Sequence, residues 1–223
     1  MMHRGAFENI RSIALLSICL ATGSTIRGQV IPLVGAPLSA TWTATTETAG
    51  TVKTTRSIGA RSSNGSTYQA NYNPDGQLAF IEILDLPNAK QYDLNPLTKQ
   101  YTEKDVPQFK GYARTTAQQR AILEHSNVPY TREAPGQKKD STPLGTKVVD
   151  HMTLYGSHFV RYRDNVLTME GETWQSDLGL IYSSHSTEMK TQQTNTETLT
   201  EMTLGEPDAS LFTIPADYSL NHR

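Results

Sequence analysis

From Thr41 onward, side chains that prefer a core alternate with side chains that prefer water. A period of two is that of a strand with one buried face. Thr41 to Thr48 places Trp42, Ala44 and Thr46 on one face, and Ala49-Gly50 then turns the chain into a second strand, Thr51 to Ala60. Ser63-Asn64-Gly65 reads as a hairpin turn, because Asn and Gly accept positive φ at low cost. Thr67 to Asn71 alternates again, with Tyr68, Ala70 and Tyr72 on one face, and Asn73-Pro74-Asp75-Gly76 is the next turn. Leu78 to Leu84 is apolar on both faces, which predicts a central, covered strand. Lys90 to Leu94 and Lys99 to Thr102 form a further pair around Asn95-Pro96.

The alternation stops between Val106 and Pro143. Thr116 to His125 has Ala117, Ala121 and Leu123 near helical spacing and no Gly or Pro, so it predicts a helix. Pro129 to Pro143 is polar and proline-rich and reads as a loop, with Lys138-Lys139 solvated within it. Strands return at Thr146 to Met152, Leu154 to Arg163, Glu170 to Gln175, Leu178 to Glu188 and Thr194 to Leu204. After Gly205-Glu206-Pro207, Asp208 can cap a helical turn over Ala209 to Phe212, whose Leu211 and Phe212 would anchor the tail. The whole predicts a mainly β fold. It is a curved antiparallel sheet, half-barrel or sandwich, of about ten strands with one inserted helix.

The N-terminus has a different character. Met1 to Arg11, carrying Arg4 and Arg11, precedes a short apolar run, Ile13 to Leu20, which is followed by the small-residue stretch Ala21-Thr22-Gly23-Ser24. This is the layout of a secretory signal peptide, and the run is far shorter than the roughly 20 residues of a membrane span. Residues 1–28 are therefore expected to be removed, with cleavage after Gly23 or as late as before Gln29. Residues 29–223 would form one β-rich domain, opening on an extended lead-in, Gln29 to Ala40. The expected location is periplasmic or extracellular, with no transmembrane span after cleavage.

Composition narrows the chemistry. The single cysteine, Cys19, lies inside the apolar run and follows Ile18 rather than a small residue, which argues against a lipid anchor. The exported chain would then hold no thiol, which removes disulfides and cysteine catalysis. Cleavage takes three arginines and one glutamate from 20 basic and 22 acidic residues, leaving a net charge of −4. Nucleic-acid binding by counterion release needs clustered Lys and Arg, and the sequence shows no basic run.

Several segments in order carry a resemblance. They are Ile83-Leu84-Asp85 with Tyr92-Asp93-Leu94-Asn95-Pro96, then Leu144-Gly145-Thr146-Lys147-Val148-Val149-Asp150, then Glu172-Thr173-Trp174-Gln175-Ser176-Asp177-Leu178-Gly179-Leu180. The closing run Gly205-Glu206-Pro207-Asp208 through Asp217-Tyr218 belongs with them. Together they resemble a group of uncharacterised secreted proteins abundant in Acidobacteria. That group is similar in pattern to the outer-membrane lipoprotein carrier and sensor superfold, a curved antiparallel half-barrel closed by helices. The resemblance implies a binding rather than catalytic role and transfers no catalytic residue. His151 departs from the group, standing in a turn where Gly is usual.

The titratable residues form no motif. The histidines beyond the signal are His125, His151, His158, His185 and His222, none paired at helical spacing around a Glu. His158 and His185, on strands that could neighbour each other, would need Asp150 or Glu172 to complete a metal site. Solvated or hydrogen-bonded histidines explain the same pattern. There is no Gly-x-Ser-x-Gly elbow and no phosphate loop. Glu170 and Glu172 share a strand face, as a glycosidase pair or a plain solvated face would. Neither a catalytic residue, a metal ligand nor a cofactor is assigned.

Aromatics are the remaining signal. Trp42, Tyr68, Tyr72, Phe80, Tyr92, Tyr101, Tyr162, Trp174 and Tyr182 all fall on predicted strands. If Trp42, Tyr68, Tyr72, Phe80, Tyr92, Trp174 and Tyr182 point into a concave face, they would line an apolar ligand cavity. An ordinary sandwich core uses such residues in the same way. The expected function is a non-enzymatic envelope protein that binds an apolar or lipid ligand or a partner protein. A structural module without a cavity, or a hydrolase with an unrecognised site, are the alternatives.

Overall fold

The computed structural model describes residues 35–107 and 136–221. They form one open, curved, mixed sheet of twelve strands. The first meander is β1 (Leu38–Thr48), β2 (Thr51–Arg61), β3 (Thr67–Tyr72), β4 (Leu78–Asp85), β5 (Lys90–Asn95) and β6 (Gln100–Asp105). The second is β7 (Gln137–Val149), β8 (Met152–Arg163), β9 (Val166–Ser176), β10 (Ile181–Glu188) and β11 (Gln193–Leu204). A 3₁₀ turn over Ala209–Phe212 and the short β12 (Ser219–Leu220) complete the chain.

Each meander pairs neighbour with neighbour. They join where β1 pairs antiparallel with β11, so the first and last long strands lie at the centre of the sheet. The closing β12 pairs parallel with β6 and caps that edge, while β7 forms the other edge. The predicted signal peptide at 1–28 and the predicted helix from Thr116 to His125 lie outside the described residues.

Two-residue turns follow from the chemistry of positive φ. Ala49-Gly50, Asp150-His151 and Asp164-Asn165 all carry φ between 48° and 77° at both positions. That is the type I′ pattern, whose twist matches the strands it joins. His151 adopts φ 65°, a conformation a non-glycine residue enters at a cost. The hairpin therefore ends the predicted Thr146 to Met152 strand at Val149.

The C-terminal meander corrects another expectation. The segment from Pro129 to Pro143 is not loop throughout, because β7 begins at Gln137 and runs through Pro143 to Val149. Pro143 fits because β7 is an edge strand, and the register shifts between Pro143 and Gly145. Lys138 and Lys139 are therefore strand residues. Lys138 lies over the ring of Tyr162 and Lys139 over Phe159. The expected strand from Leu178 begins later, at Ile181, because Asp177 to Leu180 form a turn closed by Gly179 N–H on the Ser176 carbonyl at 2.9 Å.

Three apolar clusters hold the sheet. Ala70, Ile81, Ile83 and Leu94 form the first, packed against by Ile58, Tyr68, Tyr72, Tyr92, Ile214 and Tyr218. Leu38, Ala40, Trp42, Leu180 and Leu199 form the second, at the seam between the meanders. Leu84, Leu86, Ala89 and Val106 form the third. Burying each Leu or Ile of these clusters contributes roughly 1.5–3 kcal/mol.

Candidate functional site

The strand registers divide the candidate aromatics between two faces. Across the first meander one transverse row reads Ile58, Ala70, Ile81, Leu94, Tyr101, and the next reads Ala60, Tyr68, Ile83, Tyr92. Tyr72 lies opposite Arg56 on the same face. This tyrosine face thus carries Tyr68, Tyr72 and Tyr92 over a β-branched and leucine floor. The opposite face carries Gln69, Glu82, Asp93 and Thr102 in one row. Gln91 Nε2 donates to Glu82 Oε2 at 3.0 Å and to Asp93 Oδ1 at 2.8 Å, and Lys104 pairs with Asp93.

The chain's own tail covers part of the tyrosine face. Asp208 Oδ1 accepts from Ser210 N at 2.8 Å and caps the 3₁₀ turn, as expected, and that hydrogen bond holds the Asp208 carboxyl below the usual range. Ile214 and Tyr218 then pack against the first cluster. Ser219 N–H donates to the Lys99 carbonyl at 2.9 Å, and Lys99 Nζ sits 4.8 Å from the Tyr218 ring centre while pairing with Asp217 at 3.1 Å. Burial, and to a lesser degree Tyr72 and Tyr218, push the Tyr68 hydroxyl up to about 12.

The remaining candidates lie elsewhere. Trp42 is 1 % exposed on the opposite face, within the seam cluster, and its Nε1 donates to the Ile181 carbonyl at 3.0 Å. Tyr182 packs against the same cluster. Phe80 also lies on the opposite face, paired with Asn71. Trp174 shares the tyrosine face but sits on the second meander, spread over Gly156, with Lys147 Nζ 3.9 Å from its ring centre. The structure thus brings Tyr68, Tyr72 and Tyr92 together and sets Trp42, Phe80, Trp174 and Tyr182 apart from them.

The histidine and carboxylate candidates meet in part. One transverse row reads Thr54, Thr45, Thr196, His185, Glu172, His158 and Thr142. His158 and His185 thus flank Glu172 on the tyrosine side of the sheet. His185 Nδ1 is hydrogen-bonded to Thr196 Oγ1 at 3.0 Å. Asp150 is in the β7–β8 turn, about 20 Å along the strand from His158. Among the described residues no three His, Cys, Asp or Glu side chains lie close enough to hold a metal ion.

An open cleft of about 290 Å³ lies beside Tyr72, where the β3–β4 turn meets β1 and β2. Thr43, Thr54, Thr55, Arg56, Tyr72, Asn73, Pro74 and Gly76 line it. The turn is fixed by Asn73 N–H on the Gln77 carbonyl at 2.8 Å and Gly76 N–H on the Asn73 carbonyl at 2.9 Å, with Gly76 at φ 80°. Arg56 Cζ lies 5.6 Å from the Tyr72 ring centre. Of the cleft's lining, sequence reasoning named Tyr72 as a ligand contact and missed Arg56. The signal for Arg56 was its parity with Ile58 and Ala60 along β2, which puts a charge beside the apolar positions of that strand's face.

Among the described residues, no helix is long and apolar enough to cross a membrane. No family model and no curated protein sequence matches the chain. Among solved structures, an uncharacterized conserved protein from Thermus thermophilus is similar at 10% identity and TM-score 0.48. That match covers 86% of this chain and 93% of the other. MucB of Pseudomonas aeruginosa, solved in complex with MucA, is similar at 15% identity and TM-score 0.46. This chain is covered over 83% of its length, and spans 58% of the other. A LolA superfamily protein from Nitrosomonas europaea is similar at 9% identity and TM-score 0.38, over 80% of this chain and 90% of the other.

Proposed function

We propose that this chain is a non-enzymatic, exported envelope protein whose tyrosine face binds an apolar or lipid-like ligand, entered at the cleft beside Tyr72. The observation that carries this reading is the cleft itself. It opens at the rim of the tyrosine face, where the partly buried Ile58 and Leu78 pack beside Tyr72 and offer a ligand apolar surface, while Ala70, Ile81 and Leu94 stay buried beneath the tyrosines and the tail. At about 290 Å³ it lies at the lower limit of small-molecule sites, which run from roughly 300 to 1,000 Å³. Export is supported by the arrangement of residues 1–28.

Native mass spectrometry of protein purified from the exported fraction, with lipid extraction of the same sample, tests the reading. A co-purifying lipid of defined mass supports it. Bare protein that also fails to bind a fluorescent fatty-acid analogue rules it out.

A partner protein is the second reading, favoured by β7. This edge strand is 13 residues long, and all but Val149 are exposed. Open edges invite strand addition, but Pro143, the neighbouring register shift, and Lys138, Lys139 and Lys147 are the features that blunt it. A co-purifying protein in the same spectrum would favour this reading over the first.

A further inference from the structure

We propose that the cleft beside Tyr72 binds an oxyanion, of carboxylate or phosphate type, as the charged end of an amphiphile. The inference rests on the ligand-binding reading above and adds the sign and geometry of the ligand's head group. Arg56 supplies the charge. Register places it between Thr43 on β1 and Tyr72 on β3, all three on the tyrosine face. Its guanidinium is an exposed group held against the Tyr72 ring, and it makes no ion pair with any described residue.

A guanidinium held by an aromatic ring keeps its in-plane N–H groups, which match two oxygens of a carboxylate or phosphate. The other lining groups suit the same ligand. The hydroxyl of Thr43 and the amide of Asn73 can donate hydrogen bonds, the Thr54 hydroxyl is shared with Thr45 at 3.2 Å, and no carboxylate lines the cleft. Asp75, in the adjacent turn, accepts from Gln77 N–H at 2.9 Å and is not part of the lining. The volume fits a head group, and too little room remains for a whole lipid. An attached chain would continue over Tyr72 toward Ile58 and Leu78, which pack beside it on the first cluster.

The test uses the purified full chain and three probes: inorganic phosphate, dodecyl phosphate below its micelle concentration, and neutral dodecyl maltoside. Binding is read by calorimetry and by the NMR shift of the Arg56 side-chain N–H. Dodecyl phosphate is expected to bind most tightly. Arg56→Gln should weaken it at least tenfold, and Arg56→Lys less. Lys53→Gln, on the same strand but the opposite face, should leave it unchanged. Unchanged thermal unfolding of the exposed-site variants shows that folding is not the cause.

Equal binding of dodecyl phosphate to the wild type and Arg56→Gln overturns the inference. If dodecyl maltoside binds as tightly as dodecyl phosphate and Arg56→Gln affects neither, the oxyanion inference falls while the apolar-ligand reading survives. If inorganic phosphate binds through Arg56 and the dodecyl chain adds nothing, the oxyanion site stands and the amphiphile and apolar-ligand reading fall.

Discussion

The two meanders use the same topology and are held by different forces. In β3 to β5 the strands are 6–8 residues long and their shared face is sealed, with Ala70 and Leu94 fully buried under neighbouring tyrosines and the returning tail. In β7 to β9 the strands are 11–13 residues long, and most side chains are half-buried or exposed. There cross-strand contacts place a cation over an aromatic ring: Lys138 on Tyr162, Lys139 on Phe159 and Lys147 on Trp174, with Arg161 over Phe159 along β8 itself. Lys139 and Arg161 also stand directly opposite each other, and burial together with Arg161 lowers the Lys139 ammonium below its usual range. Area removed from water holds the first meander, whereas hydrogen-bonded length and ring contacts hold the second. A long ladder can therefore stand in for a core, at the cost of weaker individual contacts.

The comparison predicts an order of sensitivity. Leu94→Ala, in the sealed face, should cost about 3 kcal/mol or more in denaturant unfolding, because a cavity is left under Tyr92 and Tyr101. A loss below about 1 kcal/mol would mean that the face is not a packed core. Gly171→Ala should cost roughly 2–3 kcal/mol, since its Cβ would stand 2.2 Å from the backbone carbonyl of His185. It tests whether the ladder of β9 and β10 is as tight as the core of the first meander.

Alkaline titration separates the halves further. Tyr68 titrates near 12 when folded and near its ordinary value of 10 when unfolded, so its contribution is complete below pH 10. It is lost as pH rises from 10 to 12, because the unfolded chain ionises first. Unfolding midpoints followed across that range should fall, and Tyr68→Phe should flatten the fall. Lys147→Gln should cost only about 0.5–1 kcal/mol by removing its contact with Trp174. A cost equal to that of Leu94→Ala would overturn the proposed contrast.

Much of the fold was legible before any coordinates. Asn64-Gly65, Asn73-Pro74-Asp75-Gly76 and Ala49-Gly50 mark turns because few residues accept their φ angles, and the strands between them alternate as the period of two requires. Asp208 announced its own cap for the same local reason. The strand character of Gln137 to Pro143 was not legible. Its side chains are exposed on both faces, so no alternation records a buried side, and its proline is tolerated only because β7 is an edge. The candidate aromatics were readable as strand residues. Their division between faces was not, because face depends on how registers pass from strand to strand through shifts such as those at Trp42 and Tyr72.

The sequence by itself determined what local physics can determine: turn positions, strand parity, and the chemical character of each short segment. Only the tertiary structure decided that β1 meets β11, that the tail returns over the tyrosine face, and that Arg56 lands between Tyr72 and Thr43. Those contacts join residues far apart in the chain. They are chosen by which faces can be buried together, a comparison no single segment contains.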